Sequence, residues 1–292
     1  MRERTLSALL IVPVVVLAIA AGGIGIGILV LALAALAARE AERLLPAAGR
    51  PIIRNGVVGG ALVLVAVAAV PAILGSKLAG EQPAAIDLAT RFAAIDGVAL
   101  VGVVAIALAM LAFARVDPAE GFAAWSSTVF GAVYVGLLGA VAVLTTQWTD
   151  PGHFEQVFWP ERRWILVLLA GVWSFDTGAY LVGRAIGRHP FLPWISPRKT
   201  LEGVLGGLVV ATVGVAIVLA ISSSSPLEAL VLGPLLGAAA QAGDLAESLL
   251  KRAAGAKDSG TLLPGHGGIL DRVDSVLFAA PVLAAWVALV HG

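Results

Sequence analysis

Residues 164–187 read WILVLLAGVWSFDTGAYLVGRAIG, a long apolar stretch that holds one acid, Asp176, near its middle. A helix needs about 20 apolar residues to cross roughly 30 Å of hydrocarbon, at about 1.5 Å of rise per residue. This stretch meets that length. Eight more runs share its character, at roughly 5–21, 23–38, 56–74, 97–114, 122–145, 203–220, 227–250 and 273–290. Across all 292 residues, 59% are hydrophobic and 13% charged, against about 45–50% and about 25% in ordinary soluble domains. The excess lies in uninterrupted runs, so it reads as membrane spans. The expected fold is an all-α integral membrane protein, a polytopic bundle of about nine transmembrane helices with no separate soluble domain.

The connecting stretches are short, so any chemistry must sit on the spans or at their ends. Residues 1–160 are expected to hold about five spans that face lipid and build structure. Residues 161–292 are expected to hold about four spans carrying the polar motifs. Only Ala21-Gly22-Gly23 separates the first two runs, and a single long tilted helix is the alternative there. Arg2, Arg4 and the small residues Ala18-Ile19-Ala20 imitate a signal peptide, but another apolar run follows at once, as expected of a first span. There is no cysteine, which removes disulfides, thiolate metal sites and iron–sulfur clusters.

Net charge is zero, so the placement of charge says more than its sum. With nine spans, fifteen of the 19 Lys and Arg residues fall in the loops on the N-terminal side, leaving Lys77, Arg91, Arg162 and Arg163 opposite. Basic residues in short loops sort to the cytoplasm. The expected orientation therefore has a cytoplasmic N-terminus in a bacterial inner membrane, with the polar motifs on the cytoplasmic side.

Two such motifs stand out. SPRKTLEG, residues 196–203, follows the sixth span; the other runs from Gln241 through Asp274 and joins the last two. On a helix, Asp244, Glu247, Ser248, Lys251 and Arg252 share one face. That face resembles a cavity wall; for the basic residues, snorkelling to the interface is the competing account. Asp271 and Asp274 open the last span one turn apart, a spacing that suits magnesium and equally suits helix capping. Gly265-His266-Gly267-Gly268 permits a tight turn and close approach of backbone to phosphate. Asp176 in mid-span marks a polar cavity, or else an acid paired for packing. Tyr180 and Arg184 follow it on the same face. No phosphate-cradling Gly-x-x-x-x-Gly-Lys, no Gly-x-Ser-x-Gly and no His-Glu-x-x-His occurs.

The 27 residues SLLKRAAGAKDSGTLLPGHGGILDRVD, 248–274, resemble the signature of the phosphatidate cytidylyltransferase (CDP-diacylglycerol synthase) family. SFDTGAYLVGRAIG at 174–187 and SPRKTLEG resemble it too, with Leu201 where relatives often carry an aromatic residue. The first 160 residues match only as hydrophobic spans. The resemblance implies transfer of CMP from CTP to phosphatidic acid, giving CDP-diacylglycerol and pyrophosphate. It implies Asp244, Asp271 and Asp274 at Mg2+ or another divalent cation, with a second metal ion left open. Asp244, Asp271, Lys251, Arg252 and Asp274 would be the catalytic set. Ser196, Lys199, Ser248, Lys257, His266, Gly267, Gly268, Arg272 and Asp176 would line the sites for CTP and lipid phosphate. The implied partners are CTP, phosphatidic acid and membrane lipids, with no nucleic acid; a homodimer rests on the resemblance alone. A CTP-dependent polyprenol or phytol kinase and an ion-coupled transporter are the alternatives. The kinase would lack the signature, and the transporter leaves the dense polar motif unexplained.

Overall fold

The computed structural model describes residues 12–74, 91–92, 95–146, 163–222, 224–262 and 267–291. The described residues are helical almost throughout: α1 (12–20), α2 (Gly23–Ala47), α3 (Gly56–Leu74), α4 (Gly97–Ala112), α5 (Pro118–Gly136), α6 (Gly139–Val143), α7 (Arg163–Ile186), α8 (Leu201–Ile221), α9 (Ala229–Ala253) and α10 (Leu270–Val290). A bilayer offers no water to backbone N–H and C=O groups, and a helix satisfies them within itself. Seven helical stretches among these residues are long and apolar enough to cross a membrane, with α5 and α6 together forming one from Pro118 to Val143. This is a polytopic membrane protein.

The structure differs from the expected spans in one place. The stretch expected at 97–114 is a helix of 16 residues, about 24 Å long and so short of the hydrocarbon thickness. Of the run 5–21, residues 12–20 are helical, and the part before residue 12 lies outside the described residues. The chain does break between α1 and α2. Gly22 has φ 69° and ψ −147°, a conformation open to glycine and strained for other residues, so the alternative of one continuous helix does not hold.

The chain divides into two compact units. One comprises Met1–Thr146 with Leu250–Val273, and the other Gln147–Leu249 with Asp274–Gly292. The boundary expected near residue 160 falls outside the described residues, and the segment 250–273 groups with the N-terminal spans. In the first unit α2 packs on α3, and α3 on α5, through small residues. Ala34, Ala37, Ala38 and Ala41 of α2 and Ala61 and Ala69 of α3 are buried, which lets backbones approach where lipid provides no hydrophobic drive between helices. Glu42 of α2 accepts from the N–H groups of Val57 (3.1 Å) and Val58 (3.3 Å), satisfying donors that the start of α3 would otherwise leave orphaned.

In the second unit α7 lies along α8. A Cβ on Gly207 would sit 2.9 Å from the Phe175 ring, and one on Gly171 the same distance from Leu236. At one end of this unit Arg163 donates to Ser224 (Oγ, 2.7 Å), and His291 Nε2 lies 2.9 Å from Glu228. That end gathers the start of α7, the end of α8, the start of α9 and the end of α10. The 187–200 connection therefore belongs to the opposite end.

A close helix approach lies at Gly243, where a Cβ would sit 2.3 Å from the Asp274 carbonyl oxygen. Gly243→Ala must push backbone aside, and overpacking of this kind typically costs about 1–3 kcal/mol. Gly59 in α3 meets nothing within 4 Å, so Gly59→Ala is neutral or stabilising by up to about 1 kcal/mol. Thermal melts of the two variants in detergent should move in these different directions; a Gly243→Ala protein as stable as wild type would contradict the packing.

Candidate active site

In the second unit the polar motif begins with the connection from α7 to α8, which is tied down along its length. Phe191 N–H donates to the Lys199 carbonyl (2.8 Å) and Leu201 N–H to the His189 carbonyl (2.9 Å). The Lys199 N–H donates back to Ser196 (3.2 Å). Thr200 caps α8 by accepting from Gly203 N–H at 3.2 Å. Glu202 reaches back from the first turn of α8. Its carboxylate accepts from the N–H groups of Arg188 (3.1 Å) and His189 (3.2 Å) and lies 2.5 Å from His189 Nδ1.

That fixed loop delivers Lys199 to Asp244 of α9, Nζ to Oδ2 at 2.5 Å, while Ser248 donates to Oδ1 at 3.3 Å. Asp176 lies within electrostatic range of both Asp244 and Lys199. Its residue is exposed at mid-span, as are Trp173, Thr177, Tyr180 and Arg184 on the same side of α7. Arg184 donates to the Tyr180 hydroxyl at 3.3 Å. A carboxylate at that depth that the chain does not cover calls for water or a polar ligand, since hydrocarbon around it would cost at least about 2.5 kcal/mol. The structure thus brings Asp176, Lys199, Asp244 and Ser248 together, from segments far apart in sequence.

The first unit holds a second cluster, centred on Asp271. Its Oδ1 accepts from Lys251 Nζ at 2.5 Å. Its Oδ2 accepts from Ser259 N–H, from Gly268 N–H and lies on the Ser259 hydroxyl, each at 2.8 Å. Gly267 takes φ 78°, and a Cβ there would come 2.7 Å from Asp271 Oδ2. Glycine is needed at that position for the turn and for the close approach. Behind this cluster lies Glu40 of α2, which is 4% exposed. It accepts from the N–H groups of Ile269 (3.0 Å) and Leu270 (2.8 Å), and its Oε2 is 2.8 Å from the Ser259 hydroxyl.

Other expected residues are placed differently. Arg252, Lys257 and Arg272 are exposed; Ser196 is half-buried in the 187–200 connection. Asp274 turns its Oδ1 to its neighbour's N–H, Ser275, at 2.6 Å. His266 lies outside the described residues. Glu247, on the same helix face as Asp244 and Lys251, is fully buried at 0% exposure. Glu40, Ser259 and Glu202 carry the framework of these clusters, and the sequence reading assigned none of them. A signal for Glu40 existed: it recurs at helical spacing with the apolar Ala37, Ala41 and Leu44, so it is a charge on a buried stripe.

The donor chemistry can be tested against a divalent cation. Among the described residues, no three His, Cys, Asp or Glu side chains gather as a ready cage. Asp244 and Asp271 nonetheless offer hard anionic oxygens, and each already holds a cation, the ammonium of a lysine. Magnesium is usually held by one or two carboxylates together with substrate phosphates and water. The residues fit a metal of that kind, one that arrives with a polyphosphate.

These features define a class: a membrane protein whose spans end in carboxylate–lysine pairs suited to anionic, metal-binding ligands. The chain belongs to the cytidylyltransferase family, whose model matches residues 2–290. It is 47% identical over 121 residues to a phosphatidate cytidylyltransferase of Bacillus subtilis, a match covering 40% of this chain and 45% of that protein. It is 40% identical over 190 residues to phosphatidate cytidylyltransferase 5 of Arabidopsis thaliana chloroplasts, covering 59% and 46%. A phosphatidate cytidylyltransferase of Brucella suis is 48% identical over 120 residues, covering 41% and 44%. The chain spans less than half the length of these relatives.

Removing the Glu202 carboxylate should loosen the 187–200 connection without unfolding the spans. Both amides donate to this carboxylate, so Glu202→Ala should speed amide exchange at Arg188 and His189 by about tenfold or more. Unchanged protection at both amides would mean that Glu202 does not hold the loop.

Proposed function

We propose that this protein transfers CMP from CTP to phosphatidic acid, releasing pyrophosphate and leaving CDP-diacylglycerol in the membrane. The observation that carries the reading is membership of the cytidylyltransferase family, joined to relatives that bear the phosphatidate cytidylyltransferase name. The geometry supports it. The reaction joins a water-soluble triphosphate to a lipid phosphate, so it needs polar groups at the ends of spans, where water and bilayer meet. Both carboxylate–lysine pairs involve such ends or the loops between them.

The lipid phosphate is already anionic, so attack on the α-phosphorus needs little help from a base. Its oxygen forms the new P–O bond as the bond to the pyrophosphate oxygen breaks, and pyrophosphate leaves with those electrons. The demand is for charge neutralisation along that line. Lys199 and Lys251 supply positive charge, and each can exchange its aspartate for a phosphate oxygen. Arg252, Lys257 and Arg272, all exposed, extend that supply, and Ser196, Ser248 and Gly267 offer neutral donors, while the Gly268 amide is given to Asp271. Asp244 and Asp271, with Asp274, would hold magnesium or another divalent cation, whose bound charge would stabilise the triphosphate and the leaving pyrophosphate. Asp176 would keep a polar, hydrated path into the span.

Labelled CTP distinguishes this reading from its rivals. The proposed enzyme puts the CMP moiety into a chloroform-soluble product, a CTP-dependent lipid kinase puts only the γ-phosphate there, and a transporter does neither. EDTA should abolish incorporation and added magnesium restore it. Asp244→Asn should lower turnover by about 100-fold or more, the scale of one lost electrostatic contact at about 2.7 kcal/mol, with little change in thermal stability. Asp271→Asn should lose activity and stability together, because Asp271 also anchors the Ser259 and Gly268 amides. An Asp244→Asn enzyme with more than half of wild-type turnover at saturating magnesium would remove Asp244 from the metal site.

The same reading places the N-terminus and both motifs on the cytoplasmic side of a bacterial inner membrane, supported by the skew of basic residues. With nine crossings, the short α4 counted among them, the C-terminal His291-Gly292 would lie outside. A reporter fused after Gly292 should be active when it matures outside the cytoplasm; activity confined to the cytoplasm would overturn that orientation.

A further inference from the structure

We propose that Glu40 is a positioning residue for Asp271, acting through the Ser259 hydroxyl and the start of α10; its connection to catalysis rests on the cytidylyltransferase reading above. Glu40 comes from a span remote in sequence from the motif, and the motif closes around it. Its carboxylate accepts the Ile269 and Leu270 amides at 3.0 and 2.8 Å, the donors that the N-terminus of α10 leaves unpaired within the helix. A negative charge at a helix N-terminus is favoured by the helix dipole as well. Asp271 is the second residue of that helix, so fixing the first amides fixes the carboxylate.

The second route runs through Ser259, which is 5% exposed. Its Oγ lies 2.8 Å from Glu40 Oε2 and 2.8 Å from Asp271 Oδ2. A hydroxyl has one hydrogen and can donate it to one carboxylate at a time. With Glu40 present as a second acceptor, Ser259 can give its hydrogen away from Asp271 Oδ2, which already accepts the Ser259 and Gly268 amides, so the carboxylate keeps more of its negative charge for a cation. Without Glu40 that hydrogen stays on Asp271 and draws on the same negative charge. Glu40 also adds a second buried negative charge one hydroxyl away, which raises the attraction of the site for cations.

The surrounding backbone is shaped to admit this carboxylate. A Cβ on Gly268 would come 2.3 Å from Glu40 Oε2, and one on Gly260 2.5 Å from Oε1. Two glycines of the motif thus make room for a side chain supplied by α2, which gives Gly260 and Gly268 a role distinct from phosphate binding.

The test uses the full chain purified in detergent, with Mn2+ as the probe and no CTP or lipid. The loss of the free Mn2+ electron paramagnetic resonance signal gives the dissociation constant per folded protein. Partners behind a metal ligand are typically worth about 10–100-fold in metal affinity, so Glu40→Gln should weaken Mn2+ binding by about tenfold or more. In parallel, the magnesium concentration for half-maximal CTP incorporation should rise by a similar factor. A merely structural role would lower the folded fraction and leave both constants unchanged. If Glu40→Gln does not fold, Gly260→Ala, whose Cβ would come 2.5 Å from Glu40 Oε1 and displace that carboxylate, decides on the same Mn2+ threshold. A dissociation constant within about twofold of wild type in the deciding variant overturns the proposal, as does a wild type that leaves the free Mn2+ signal unchanged at millimolar metal. If wild type fails to put CMP into lipid while the Mn2+ shift is present, the functional reading falls and the role of Glu40 stands.

Discussion

A carboxylate inside a membrane protein cannot remain without partners, and the polar architecture of this chain follows from that constraint. Burying an ionised group without compensation costs more than a small fold can absorb. Glu40 meets it with two backbone amides and a hydroxyl, and Asp271 with two amides, a hydroxyl and a lysine. Asp244 takes a lysine and a serine. Each set of partners in turn fixes a loop or a helix start. The described residues of the connection from α9 to α10, 254–262 and 267–269, are tied down by the donors that Ser259, Gly268 and Ile269 give to Glu40 and Asp271.

The helical spans were legible in the sequence because hydrocarbon imposes a length and a composition at once, and long apolar runs display both. The short helix at Gly97–Ala112 shows where that logic weakens: apolarity alone does not set the point where a helix ends. Asp117 caps the next helix with Pro118 at its first position, and the intervening turn shortens what composition would allow. The break at Gly22 was legible only as a choice, since the same three small residues suit either a turn or a continuous helix.

The candidate site was legible as a roster of residues and not as a set of pairings. Lys199 and Asp244 are 45 residues apart, and Glu40 and Leu270 are 230 apart; no local periodicity encodes either contact. Glu40 was the larger omission. It lies in Arg39-Glu40-Ala41-Glu42-Arg43, which reads as an interfacial charge cluster. Yet the two acids have different tasks two residues apart, Glu42 on the start of α3 and Glu40 on the start of α10. Helical phase separates them: Glu40 falls in line with Ala37 and Leu44, which are buried.

Holding a lysine on each of two aspartates has a consequence under the proposed function, in which the substrate is a triphosphate. An aspartate kept free would repel that substrate, and a lysine kept free would be costly to bury. Paired, the two present little net charge. A nucleotide arriving with its metal brings both signs together, and each member of a pair can exchange its partner for one of opposite charge. The exchange replaces one ion pair by two, so its energetic cost is small even where water is scarce. A cation alone would bind more weakly, since it must displace lysine with nothing to receive it, and a phosphate alone must strand an aspartate. Under the proposed function the arrangement would favour the metal-bound nucleotide over either component. On the role proposed for Glu40, its buried charge would tilt that balance further toward the cation at Asp271, and a residue remote from the motif in sequence would help to set what the motif binds.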